Sequence, residues 1–143
     1  MAKAIIPIAV RRFVIERAKG LCEYCQSQER FSSQPFTFDH IIPVSKKGDN
    51  SSENLARACQ GCNGSKLAKT EAFDIVTNAY VPLFNPRTKE WADHFAWDET
   101  FTQILGLTPI GRATVVALKL NRQQLVGMRE FLVGFGKHPP DER

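Results

Sequence analysis

The sequence predicts an α+β protein, and three stretches carry that prediction. Ile8 to Lys19 sets Ile8, Val10, Phe13, Val14 and Ala18 at helical intervals, with Pro7 at the favoured entry and Gly20 at the exit. Phe36 to Pro43 is dense in aromatic and branched residues and closes on a proline, the pattern of a short strand. Phe95 to Trp97 and Thr102 to Leu107 then read as two strands of a hairpin, ahead of helices at Arg112 to Leu120 and Arg122 to Phe135.

The remaining elements follow in order. Ser45 to Glu53, made of Lys, Gly, Asp, Asn and Ser, is loop. From Gly61 or Cys62 to about Val76, the residues Leu67, Ala68, Ala72, Phe73 and Val76 recur at helical intervals and predict a second helix. Tyr80 to Arg87 contains Pro82 and Pro86, so it is expected to be extended and irregular. Asn121 reads as the cap of the last helix, with Gln124 three residues on completing a capping box. The tail from Lys137, with two prolines and three terminal charges, is expected to fray.

At 143 residues, 43% hydrophobic and 24% charged, the chain fits one globular domain over 1–143, with a core at 20–76 and a C-terminal extension at 80–136. Nineteen basic residues against fifteen acidic ones give a net charge of +4, a balance that favours polyanionic partners. The opening apolar run is too short for a signal peptide, and no run approaches the ~18 apolar residues of a membrane span. A cytoplasmic protein without a membrane partner is therefore expected, and a reducing compartment turns its four cysteines toward metal rather than disulfides.

Those cysteines form two knuckles, Cys22-x-x-Cys25 and Cys59-x-x-Cys62, a donor set suited to a tetrahedral structural zinc. A redox pair would not need two copies; four thiolates could also hold an iron–sulfur cluster. The gap from Gln26 to Ala58 exceeds the ~15–20 residues of an ordinary zinc ribbon, so a segment with its own purpose is inserted there.

The insert holds Asp39-His40-Ile41-Ile42-Pro43, then Asn54-Leu55, and the second knuckle is followed by Asn63 and Lys66. The elements CEYC, FDHIIPVSKKGDN, ENL, ACQGCN and GSK, spanning residues 22–66, together resemble the HNH endonuclease superfamily. That resemblance implies a ββα-metal (His-Me finger) core, a hairpin and helix bracketing one catalytic cation, acting on DNA to leave 5′-phosphate and 3′-hydroxyl ends. It makes His40 the general base, Asp39 and Asn63 the cation ligands, and Asn54 the brace of the loop. Asn63 stands where histidine is usual, which moves the second metal toward magnesium or manganese. Phe84 to Arg129 also resembles the tail that follows this core in small bacterial members.

Elementary chemistry supports the same roles. A cation touching phosphate oxygens neutralises charge as it develops, and an imidazole can take the proton of attacking water. Neighbouring strand residues point to opposite faces, so Asp39 and His40 can flank one site only if the strand twists or ends near His40. Lys46, Lys47, Lys66 and Lys69 are the candidate nucleic-acid contacts; with Arg57 they set five positive charges against Asp49 and Glu53 in residues 40–70. His94 and His138 are read as packing residues, while Arg112, Lys119, Arg122 and Arg129 suit flanking DNA and plain surface charge equally. No organic cofactor is implied. One site cuts one strand at a time, so a double-strand break needs a homodimer or two visits. The competing readings are a zinc-stabilised nucleic-acid-binding module without cleavage and a protein-interaction domain whose cysteines only maintain the fold.

Overall fold

A computed structural model describes residues 5–140 of the chain. Internal contacts divide it into two compact units, Met1–Thr70 with Asn85–Thr88, and Glu71–Phe84 with Lys89–Arg143.

In the first unit, helix α1 (Ile8–Ala18) starts after Pro7 and stops where Lys19 and Gly20 turn left-handed, at φ of 54° and 79°. It buries Val14 and Ala18 and packs on strand β2 (Leu55–Ala58). Strand β1 (Thr37–His40) pairs antiparallel with β2, Phe38 opposite Arg57 and His40 opposite Leu55. All four β2 residues are buried, so β2 lacks the alternation that marks a strand in sequence. Between the strands, two single 3₁₀ turns, Val44–Lys46 and Ser52–Asn54, interrupt the expected loop.

Helix α2 (Gln60–Lys66) begins at the second knuckle, with the Cys59 sulfur accepting from the Cys62 amide. The predicted run to Val76 is not observed: Leu67 adopts φ 52°, ψ −131° and ends the helix after seven residues. The chain then enters the second unit as a hairpin, β3 (Glu71–Asp74) with β4 (Ala79–Pro82). Branched Ile75, Val76 and Thr77 disfavour helix, Asn78 supplies the left-handed turn residue at φ 58°, and Phe73 sits across from Tyr80 with ring centroids 5.4 Å apart. The same hairpin corrects the irregular reading at Tyr80, because Pro82 sits at a strand end.

The second unit continues with a single helical turn, α3 (Trp91–His94), and the expected hairpin, β5 (Phe95–Trp97) with β6 (Ile104–Gly106). His94 closes this helical turn, immediately before β5. Helix α4 (Pro109–Ala117) starts three residues before Arg112 because Thr108 caps it, its hydroxyl accepting from Gly111 N at 3.0 Å, with Pro109 in the first turn. Helix α5 (Gln123–Gly134) has Arg122 at its N-cap and no side-chain cap. Asn121 is committed elsewhere: its amide bonds both the N–H and the carbonyl of Ile104, at 2.7 and 2.8 Å.

The tail is docked as far as it is described, with the His138 ring 4.5 Å from that of Trp97 and Nε2 2.9 Å from the Phe101 carbonyl. Its last three residues, 141–143, lie outside the described residues, as do the first four on which the signal-peptide reading partly rests. No helix among the described residues is long and apolar enough to cross a membrane. The class is α+β, with small two-stranded sheets and five helices among those residues.

Candidate active site and metal centre

The two knuckles meet. Cys22, Cys25, Cys59 and Cys62 are all buried and their sulfurs lie within 4.8 Å of one another. Four sulfurs around one zinc at about 2.3 Å would stand about 3.8 Å apart, and Cys25 Sγ and Cys59 Sγ are 3.7 Å apart. A disulfide would need about 2.05 Å, so the donor set fits a tetrahedral metal. Burial pushes the Cys22 thiol up, while hydrogen bonding from Cys22 pulls Cys25 and Cys59 down. A cluster of this kind is best satisfied by a cation that takes all four as thiolates.

From this cluster the β1–β2 hairpin and α2 extend, and they separate Asp39 from His40. Asp39 faces inward and is 3% exposed. Its Oδ2 accepts from Tyr24 OH at 2.7 Å, and Lys66 Nζ lies 3.3 Å from Oδ1 and 3.2 Å from Oδ2. The Lys66 ammonium also reaches the carbonyls of His40 and Ile41, at 3.0 and 3.2 Å. Burial pushes the Asp39 carboxyl up against the opposing pull of the Lys66 charge; burial and then the Asp39 charge hold the Tyr24 phenol well above its usual range.

His40 occupies the opposite face and is half-buried, with Nε2 2.7 Å from Asn50 Oδ1. Asn50 in turn donates to the Ile5 carbonyl at 3.2 Å. An amide oxygen on Nε2 fixes the ring's orientation and favours the tautomer with the proton on that nitrogen. β1 does end at His40, but the end of the strand does not bring the two side chains to shared partners.

Asn54 closes the loop. Its Oδ1 accepts from Ile42 N at 2.9 Å, and its Nδ2 donates to the carbonyls of Ile42 and Asp49 at 3.0 and 2.9 Å. Gly48 lies so close that a Cβ there would sit 1.6 Å from the Ile42 carbonyl oxygen, so this turn has room only for glycine. Asn63 is half-buried on α2, and its side chain makes no hydrogen bond among the described residues.

An oxygen pair from Asp39 and Asn63 is the right chemistry for magnesium or manganese, yet both Asp39 oxygens are already engaged. Lys66, read from sequence as a phosphate contact, is 1% exposed and belongs to the interior. Lys46, Lys47 and Lys69 are exposed, Lys69 with Nζ on the Ser65 carbonyl at 2.9 Å.

Sequence reasoning missed Tyr24, Asn50 and the pair Glu23–Arg87. Tyr24 lies within the first knuckle, between Cys22 and Cys25, and a polar aromatic at a buried knuckle was the available signal. Glu23 accepts from Arg57 N at 2.7 Å and pairs with Arg87, whose Nη1 also reaches the Leu55 carbonyl at 3.2 Å. The other basic candidates have structural duties in the second unit. Arg112 forms a fork on Asp74 at 3.0 and 3.1 Å, and Arg129, 4% exposed, holds the carbonyls of Thr102 and Leu120 at 2.9 and 2.8 Å. His94 Nδ1 is 2.6 Å from Thr108 Oγ1, and its ring packs edge-on against Phe84.

Residues 22–69 match a family model described as HNH endonuclease. A 78-residue stretch, 52% of this chain, is 24% identical to the type IV methyl-directed restriction enzyme EcoKMcrA of Escherichia coli strain K12 and covers 28% of that protein. The chain thus spans less than a third of the length of this relative.

Proposed function

We propose, from the match of residues 22–69 to a family model described as HNH endonuclease, that the chain is a metal-dependent endonuclease that hydrolyses DNA phosphodiester bonds. The observation that carries the reading is the position of His40. Its imidazole lies at the end of β1, half-buried and oriented by Asn50, in a loop that Asn54 ties shut and four clustered thiols anchor.

In this reading, His40 takes the proton of a water attacking phosphorus opposite the 3′ oxygen, which leaves 5′-phosphate and 3′-hydroxyl ends. With Nε2 on the Asn50 oxygen, Nδ1 is the nitrogen free to accept that proton. Asn54 keeps the loop that carries Asn50 in register with β1. Asp39 and Asn63 are the proposed donors for magnesium or manganese, an ion that would neutralise charge developing on the phosphate when bound. The four cysteines hold zinc, which takes no part in the chemistry. Exposed Lys46, Lys47 and Lys69 attract the DNA backbone.

One observation favours a second reading, a nucleic-acid-binding module without cleavage: Asp39 is already neutralised by Lys66 and hydrogen-bonded to Tyr24. Incubation of supercoiled plasmid with the purified chain, with and without magnesium or manganese, separates the two. Nicked circles that appear only with the added metal, and that fall by about 10²–10⁴ in rate for His40→Ala at unchanged zinc content, are the expected result. DNA that is retarded but never cut, in either metal, would establish the second reading instead.

A further inference from the structure

The first unit carries a groove of about 600 Å³ between α1 and the hairpin, lined by Ile8, Arg11, Arg12, Ile15, Phe38 and Arg57. Its floor is apolar, with Ile8 64% and Ile15 42% exposed. The Arg57 guanidinium stacks over the Phe38 ring, 4.9 Å from its centroid, and Glu29 holds it there at 3.0 Å. Arg11 and Arg12 are exposed, and their side chains make no hydrogen bond or ion pair among the described residues. The one carboxylate in the lining is Glu16.

Strand geometry relates this groove to His40. Phe38 and His40 are two residues apart on β1, so their side chains share a face, and Arg57 stands opposite Phe38 in the pairing with β2. Two strand residues span about 6.6 Å, close to two nucleotide rises of about 3.4 Å. A DNA strand with a phosphate at His40 therefore reaches the groove within about two nucleotides.

We infer that this groove is a nucleotide subsite flanking the cleaved bond, with Arg11 and Arg12 holding backbone phosphates and the Ile8–Ile15–Phe38 floor receiving the adjoining sugar or base. Apolar surface bordered by guanidinium groups is the lining that single nucleotides favour, because every base offers a flat face and every phosphate a charge. The subsite rests on the reading of DNA as the substrate, and it joins α1 residues from outside the cysteine-bounded insert to Phe38 and Arg57 within it.

The test measures binding of a labelled 30-base-pair duplex and of its single strand, without added magnesium or manganese, across a salt series. Binding needs no cleavage, so failure of the subsite is distinct from failure of catalysis. Loss of two phosphate contacts should lower the slope of log affinity against log salt by about 1.8 in the R11A/R12A variant and weaken binding roughly tenfold at low salt. The R11K/R12K variant should recover most of that slope, and Ile15→Glu, which sets a carboxylate on the floor, should weaken binding with the arginines intact. Affinity and slope in R11A/R12A equal to those of the native chain would overturn the subsite while leaving the nuclease reading in place. A native chain that neither binds nor cuts DNA would remove both.

Discussion

Lys66 is the residue whose environment departs furthest from what its type leads one to expect. An ammonium on a helix near a phosphate-binding motif reads as a surface contact. Here it is enclosed by the Asp39 carboxylate and two main-chain carbonyls, where it pins the end of β1 to α2. Breaking a buried pair by removing one partner leaves the other charge uncompensated, a loss of about 3–5 kcal/mol. Lys66→Ala should lower the urea stability of the first unit by that order, and a change below about 1 kcal/mol would show that Asp39 is satisfied without it. The types and order of the site residues were legible in sequence. Their partners were not, because Tyr24, Asn50 and Lys66 act through contacts that only the folded hairpin creates.

At the scale of elements, sequence periodicity recovered α1, β1 and the β5–β6 hairpin, each of which alternates or recurs in the expected way. It failed where burial or a turn overrides the period. β2 is buried on both faces, and the stretch after Lys66 carries helical spacing that Leu67 and Asn78 interrupt with left-handed backbone. Asp74, at the end of β3, shows what holds the new hairpin to α4. It is 1% exposed, accepts the Arg112 fork and two bonds from Thr77, and these contacts hold its carboxyl well below the ordinary value of 3.8. A depressed folded value means stability that is present above the unfolded pKa and lost as pH falls through the folded one. Urea midpoints followed by the fluorescence of Trp91 and Trp97, both in this unit, should drop steadily as pH falls below about 4. The Arg112→Ala variant should begin from a lower midpoint and show a flatter acid limb; an equally steep limb would assign the acid sensitivity to other carboxylates.

For the whole molecule, the four-cysteine cluster is the constraint that ties distant parts of the sequence together. The sulfurs of Cys25 and Cys59 meet across 34 positions of chain, and the hairpin that carries Asp39 and His40 lies between them. Structural zinc can contribute about 10–16 kcal/mol in small domains, more than the typical stability of the fold. Metal analysis should find one zinc per chain. Cys59→Ser should lose it, with residues 5–70 becoming protease-sensitive while the tryptophan signal of the second unit persists. Full zinc retention and unchanged protection in that variant would place the fold's anchor elsewhere. The cysteine spacing made this centre readable in advance; the separate second unit was not, because its contacts carry no motif.

The return of the chain at Asn85–Thr88 bears on how the first unit could be cut from this protein. Arg87 answers a glutamate whose carboxyl burial already pushes up, and it shares the Leu55 carbonyl with Arg17, at 3.2 and 2.8 Å. Excision at Thr70, one residue past the end of the family match, would remove Arg87 and leave the half-buried Glu23 with the Arg57 amide and the charge of Arg17 alone. The first unit is discontinuous in sequence, and a shortened version that keeps this ion pair has to bring Arg87 back, by keeping the intervening hairpin or by splicing a short bridge in its place.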